Sequence, residues 1–243
     1  MFILRGINMK KENKLTIKIK RLLRSIGAPR FLHRFGPKTY ELKHHVAALM
    51  SMAIFRLSFR RVSKLLGLIG FRVPSYSALC KSRKRIPATL FQHLMSVTAG
   101  ATHDCVAIDS TGISKQNPSY HYIKRIDRKK PIRSYIKQSS LFDIERRMFV
   151  ALRVRSKPRH DSKDVKYLLK RAEVQTKLFG DTAYDAEWLY EYCYENNIQT
   201  MIKPRKNVKR GFYRRKQMKQ YSEVEYHQRS LIEAGQGAVK RKY

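Results

Sequence analysis

Cys105-Val106-Ala107-Ile108-Asp109-Ser110-Thr111-Gly112 marks the point where the pattern of this 243-residue chain changes. Ahead of it, apolar residues recur at helical spacing; from Asp104 onward they gather into short runs. Cys105 to Ile108 is one such run and reads as a strand. Asp109 ends it and Ser110-Thr111-Gly112 follows, which puts a carboxylate at the strand's C-terminal edge, where a sheet presents side chains to a ligand crevice. Tyr135 to Phe142, Met148 to Val154, Lys177 to Phe179 and Ile198 to Ile202 read as further strands, with Asp143 to Arg147 as a hairpin turn. Helical patterns intervene at Asp161 to Ala172 and Asp185 to Asn196, and a last helix is expected from about Ser222. Hairpin strands followed by alternating strand and helix predict an α/β fold: a mixed sheet with helices against it.

Working back from Asp104, the first hundred residues read as helical. One helix is expected around Leu15 to Ile26, then a loop through Gly27, Pro29, Gly36 and Pro37. Glu41 to Phe55 and Ser58 to Leu68 carry apolar residues at helical spacing, and Gly70 to Pro74 breaks the pattern. A third helix, capped by Ser75, runs through Tyr76, Leu79, Lys81, Arg83, Lys84 and Arg85 to a stop at Pro87. Two helices, a glycine-containing turn and a basic helix resemble a helix-turn-helix whose last helix, with Lys81, Arg83, Lys84 and Arg85, enters the major groove of DNA. An ordinary three-helix bundle with a solvated basic face fits the same pattern.

Charge narrows the partner. The formal net charge is +35, beyond what solubility requires, and calls for a polyanion. Nucleic acid is the obvious one, and the charge by itself would also permit an RNA-binding or ribosome-associated protein. Only Glu12 and Glu41 of the acidic residues precede Asp104, so the two halves have different roles, with residues 1–100 binding and residues 104–243 holding the acids. A dense basic stretch at about 203–220, with Gly211, reads as a loop or hairpin tracking phosphates, or as a solvated loop in the free protein. The apolar run Val46 to Phe55 is too short to cross a bilayer, and no signal-peptide pattern opens the chain, so a cytoplasmic, nucleoid-associated protein without membrane contact is expected. Cys80, Cys105 and Cys193 show no paired spacing and read as reduced thiols.

Near the end the chain reads Tyr226-His227-Gln228-Arg229-Ser230-Leu231-Ile232-Glu233, with Lys240 seven residues later. At about 100° per residue, Arg229, Glu233 and Lys240 fall within roughly 60° of Tyr226 on one helix face. Val224, Leu231, Ile232 and Val239 project from the other side, so the polar stripe faces a ligand. Asp181 follows the run Lys177-Leu178-Phe179-Gly180, an exit position like that of Asp109. With Glu233 on a helix packed nearby, three carboxylates can meet. Such a cluster repels itself unless a divalent cation is its normal occupant. Magnesium, which takes oxygen ligands and shares its site with substrate phosphates, suits an Asp, Asp, Glu set. Two ions about 4 Å apart would activate the attacking oxygen and stabilise the leaving one.

Ile108-Asp109-Ser110-Thr111-Gly112, then Gly180-Asp181-Thr182-Ala183-Tyr184-Asp185, then Tyr226, Arg229, Glu233 and Lys240 resemble a DDE-type insertion-sequence transposase. The last signature matches the spacing of the YREK group at all four positions. His160-Asp161-Ser162 is similar to a segment these proteins carry between their first two acids. The resemblance implies a ribonuclease H-like sheet, two magnesium ions (manganese substituting) and recognition of terminal inverted repeats and target DNA by a homodimer assembled on DNA. It makes Asp109, Asp181 and Glu233 the catalytic metal ligands, with Tyr226, Arg229 and Lys240 orienting the DNA end. Water would release a 3′-hydroxyl that attacks target DNA. Asp185 is the rival to Asp181, although it sits where a helix cap is expected. Gly235 and Gly237 fall inside the expected last helix, each costing about 1 kcal/mol relative to alanine. The chain stops at Tyr243, where such enzymes usually continue with further helix, so a truncated C-terminus is expected. A catalytically inactive DNA-binding protein derived from a transposase is the alternative.

Overall fold

The computed structural model describes residues 14–35, 38–114, 125, 135–157, 159–206 and 210–242. The chain divides into two compact units, Met1–Thr98 and Ala99–Tyr243.

The first unit is helical, with α1 (Lys14–Ser25), α2 (Leu42–Phe55), α3 (Phe59–Leu68), α4 (Tyr76–Arg85) and α5 (Ala88–Ala99). Its cores follow the apolar spacing: Ile19 and Leu23 of α1 meet Leu42, Val46 and Leu49 of α2, and Ala48 meets Val62, Leu66 and Leu79 of the next two helices. Polar caps set the starts. Ser58 Oγ accepts from Arg61 N and Ser75 Oγ from Ala78 N, satisfying donors that a first helical turn leaves free. Glu41 and His44 form a reciprocal capping pair at α2. Burial pushes the Glu41 carboxyl up, but hydrogen bonds from Arg30 and Lys43 overcome this and hold it below the ordinary range. Helix α4 ends before Pro87, buries Leu79 and Ser82, and leaves Lys81, Arg83, Lys84 and Arg85 exposed. Helix α5 adds to the set expected from helical spacing. Gly36 and Pro37 lie outside the described residues.

The second unit is built on β1 (Thr102–Ser114), β2 (Tyr135–Asp143), β3 (Met148–Arg155), β4 (Glu173–Gly180) and β5 (Gln199–Ile202). They form one sheet in the order β3-β2-β1-β4-β5. The β1–β2 and β2–β3 pairs are antiparallel; β1–β4 and β4–β5 are parallel. This is the expected mixed sheet, flanked by helices. Alternation along β1 sends Val106 and Ile108 to one face and Ala107 to the other. On the first face they join Val165 and Leu168 of α6 (Ser162–Leu169) and Leu189, Tyr190 and Cys193 of α7 (Glu187–Glu195). On the second, Ala107, Phe142, Phe179 and Met201 meet Ile232 of the C-terminal helix.

Three expectations are corrected. Strand β1 does not stop at Asp109: Ser110, Thr111 and Gly112 stay in register with Ser139, Gln138 and Lys137, because the antiparallel partner β2 continues where β4 has ended. The basic stretch is not a loop throughout, since Phe212–Met218 forms helix α8, with Arg214 and Gln217 buried; residues 207–209 lie outside the described residues. The last helix is not continuous. It comprises α9 (Glu223–Tyr226), a 3-10 turn at His227–Arg229, and α10 (Ser230–Lys242). The tighter turn shifts the phase, and Val224, assigned to the apolar side, is 83% exposed. Helix α10 runs through Gly235 and Gly237 without a break. A Cβ on Gly235 would stand 2.9 Å from Phe142 Cε2, so this glycine lets the helix lie close on the sheet, and that packing offsets its low propensity. Among the described residues no helix is long and apolar enough to cross a membrane.

Candidate active site

Ile108 of β1 pairs with Gly180 of β4, and this is the last rung of the parallel ladder. The next residue on each strand is an aspartate, so Asp109 and Asp181 stand side by side at neighbouring-strand spacing, about 4.8 Å between strands. Gly180 permits this: a Cβ there would lie 3.2 Å from Ile108 Cγ2 and 3.3 Å from Ile202 Cγ1. Asp181 leaves the sheet and opens the 3-10 turn Thr182–Tyr184, where its Oδ1 accepts from Ala183 N at 2.5 Å and Thr182 Oγ1 at 2.9 Å.

Asp109 has the same parity as Ala107 and faces the side of the sheet covered by α10. The helix is held in place by Ile232, by the Gly235 contact, and by a chain of bonds in which Gln236 Nε2 donates to Ser140 Oγ and Ser140 Oγ donates to the Asp109 carbonyl, at 3.3 and 3.4 Å. Burial pushes the Asp109 carboxyl above the ordinary range. The charges of Asp181 and Glu233 push it further, against the Ser110 N–H and Arg229. Like-charge repulsion reaching Asp109 from both other acids means that the three carboxylates share one electrostatic neighbourhood.

Arg229 neutralises that neighbourhood. Its Nη2 lies 2.6 Å from Glu233 Oε1 in an i,i+4 pair across the turn into α10, and its guanidinium sits 5.7 Å from the centre of the Tyr226 ring. Burial alone would lower the Arg229 pKa, but Tyr226, Glu233 and Asp109 together raise it. Burial raises the Tyr226 phenol, with Asp181 and Glu233 adding to it against Arg229. Tyr226, Arg229 and Glu233 are therefore electrostatically coupled to the aspartates. Lys240 is exposed and lies about 10 Å along α10 from Glu233 at 1.5 Å per residue.

Asp185, the rival acid, is committed elsewhere. It does not cap α7, and its buried carboxylate accepts from Arg214 Nε at 2.7 Å and Arg205 N at 2.8 Å. Asp161 of the His160-Asp161-Ser162 segment pairs with the buried Lys137 at 2.6 Å. In the helical unit, Arg85 bonds the His33 ring, while Lys81, Arg83 and Lys84 lie with it on the exposed side of α4. Sequence reasoning missed the buried bonds around Ser110, Tyr184 and Asp164, which join residues far apart in the chain and carry no local signal. The thiols are free, as expected, and burial pushes Cys193 up to about 12.

The donor set suits a hard divalent cation, since Asp109 on β1 and Asp181 just past the end of β4 offer carboxylate oxygens. Among the described residues no three His, Cys, Asp or Glu side chains are spaced to share one ion; Glu233 is turned to Arg229 instead.

Comparison with curated proteins gives no match. Among solved structures, a chain of the piggyBac transposase synaptic complex with hairpin DNA aligns with TM-score 0.40 and 13% identity, over 83% of this chain and 50% of the other. The present chain thus spans about half the length of that one. The transposase DDE domain matches residues 100–243, more than half of the chain and the whole of the sheet described above. The protein belongs to the transposase DDE domain family.

Proposed function

We propose that this protein is a DDE-type transposase of the YREK group, which binds the terminal inverted repeats of an insertion sequence and catalyses metal-dependent DNA cleavage and strand transfer. The observation that carries the reading is that Asp109 and Asp181 each directly follow Ile108–Gly180, the last rung of the β1–β4 ladder, with Arg229 and Glu233, from the 3-10 turn and α10, electrostatically coupled to Asp109. Family membership supports it. Asp109, Asp181 and Glu233 would hold two magnesium ions, with manganese able to substitute. Bound there, the ions supply Lewis-acid neutralisation of the phosphate and lower the pKa of an attacking water.

The chain's own groups do the rest. The Arg229 guanidinium offers paired N–H donors to the phosphate next to the cut. A phosphate taking Arg229 competes with Glu233 for it, and frees that carboxylate to turn toward the aspartates. Tyr226, stacked on Arg229, orients it, and Lys240 holds DNA further along α10. Water enters at phosphorus and the 3′-oxygen leaves; the resulting 3′-hydroxyl then attacks a target phosphodiester, whose own 3′-oxygen leaves as the new bond forms. The helical unit supplies end recognition, with α4 presenting Lys81, Arg83, Lys84 and Arg85 to the major groove. A homodimer assembled on DNA brings two ends together.

The 2.6 Å pairing of Glu233 with Arg229 favours one second reading, a DNA-binding protein without catalysis. Cleavage of a labelled duplex carrying the flanking repeats, with magnesium or manganese, separates the two. Metal-dependent release of a 3′-hydroxyl by the parent and not by Asp181→Ala supports the transposase; tight binding without cutting by either supports the inactive reading.

A further inference from the structure

Behind the two aspartates runs a buried chain of hydroxyls. Tyr184, the last residue of the 3-10 turn that Asp181 opens, is 1% exposed, and its hydroxyl lies 2.9 Å from Ser110 Oγ. Ser110, next to Asp109, donates to Ser139 Oγ at 2.9 Å. Ser139 donates to Asp164 Oδ2 at 2.9 Å. Asp164 is fully buried and flanked by Arg155 Nε at 2.7 Å and Arg153 Nε at 3.3 Å, so it accepts and does not donate. A serine has one proton. With Ser139 giving its proton to Asp164 and Ser110 giving its own to Ser139, the remaining bond has one possible sense: Tyr184 donates to Ser110. All three hydroxyls point inward, toward an anchored carboxylate, and each polarises the next.

This direction excludes proton transfer from Tyr184 to a substrate, because its proton is committed to the interior. What the bond does is mechanical. The Tyr184 N–H also bonds the Asp181 carbonyl at 3.0 Å, so the residue closes the turn that carries Asp181 and ties it to β1 one residue beyond Asp109. No backbone rung does this, since the β1–β4 ladder ends at Ile108–Gly180.

We propose that the Tyr184–Ser110 hydrogen bond is the clasp that fixes the separation of Asp109 and Asp181, making Tyr184 and Ser110 positioning residues for the divalent-metal pair. The inference rests on the metal-dependent reading above. Partners that orient metal-binding carboxylates typically change affinity 10–100-fold when removed, so Tyr184→Phe, which keeps the buried ring and loses the hydroxyl, weakens binding about tenfold.

Manganese alone, titrated into the full-length chain by calorimetry, is the test. Parent protein and Tyr184→Phe, Ser110→Ala, Tyr190→Phe and Asp109→Asn are compared, with folding checked by circular dichroism. Expected is Asp109-dependent binding by the parent and the same loss for Tyr184→Phe and Ser110→Ala. Tyr190→Phe, which removes another fully buried phenol from the same core, binds as the parent does. Cleavage by Tyr184→Phe recovers at about tenfold higher manganese. Parent-like affinity in Tyr184→Phe, or an equal loss in Tyr190→Phe, overturns the clasp. If Tyr184→Phe does not fold, Ser110→Ala decides alone. A parent that binds no manganese through Asp109 overturns the metal reading, and the clasp with it.

Discussion

Asp181 and Asp185 lie four residues apart, and stability separates their roles. Asp185→Ala deletes an acceptor whose side chain is 0% exposed and leaves Arg214, 10% exposed, with Glu187 Oε2 at 4.0 Å as its nearest remaining carboxylate. It also frees Arg205 N, which donates to Asp185 at 2.8 Å. Removing one partner of a buried ion pair costs about 3–5 kcal/mol. For a unit of this size, with about 2–4 °C of Tm per kcal/mol, the loss is about 6–20 °C. Asp181→Ala deletes only a turn cap, costing about 1 kcal/mol, and relieves repulsion with Asp109, so its Tm stays within about 4 °C of the parent. Thermal unfolding of the full-length chain by circular dichroism measures both, with duplex cleavage in parallel. Asp181→Ala is expected to melt normally and not cut. If Asp185→Ala melts within about 4 °C of the parent, or if Asp181→Ala is the more damaging change, the assignment of Asp185 to packing and Asp181 to chemistry fails.

Three more outcomes follow from the same geometry. Because burial and like charges raise the Asp109 pKa in the folded state, its ionised form opposes folding; this group's contribution to stability grows as pH falls through the raised pKa and is lost as pH rises. Asp109→Asn should therefore raise Tm at neutral pH, flatten the dependence of Tm on pH at mildly acidic values, and abolish cleavage; a lower Tm at neutral pH contradicts the burial argument. Gly235→Ala forces a Cβ against the Phe142 ring and should destabilise by about 1–3 kcal/mol. Gly237→Ala, with nothing within 4 Å of the added Cβ, should stabilise by about 0.4–1 kcal/mol; urea titration checks the opposite signs. Replacing exposed Lys81, Arg83 and Lys84 of α4 by Ala should leave Tm unchanged and reduce the slope of log affinity for DNA against log salt by about 0.9 for each phosphate no longer neutralised. An unchanged slope removes α4 from the DNA interface.

The sequence by itself determined what depends on neighbours in the chain. Alternation and short apolar runs set the strands, helical spacing and Ser58 and Ser75 caps set the helices, and the class follows because alternating strands and helices have few ways to bury both faces of a sheet. The reach of β1 past Asp109 was not legible, because it depends on β2, whose pairing with β1 continues after β4 stops. Nor was the break between α9 and α10, where packing of Ile232 and Gly235 on the sheet overrides a smooth helical period. The sequence marked Asp109 and Asp181 as strand-exit acids and left Asp185 as a rival. Only the tertiary structure decided that Asp109 and Asp181 both follow the last rung of one ladder and that Asp185 is occupied by Arg214. Those relations are set by distances between residues remote in the chain, which no local pattern encodes.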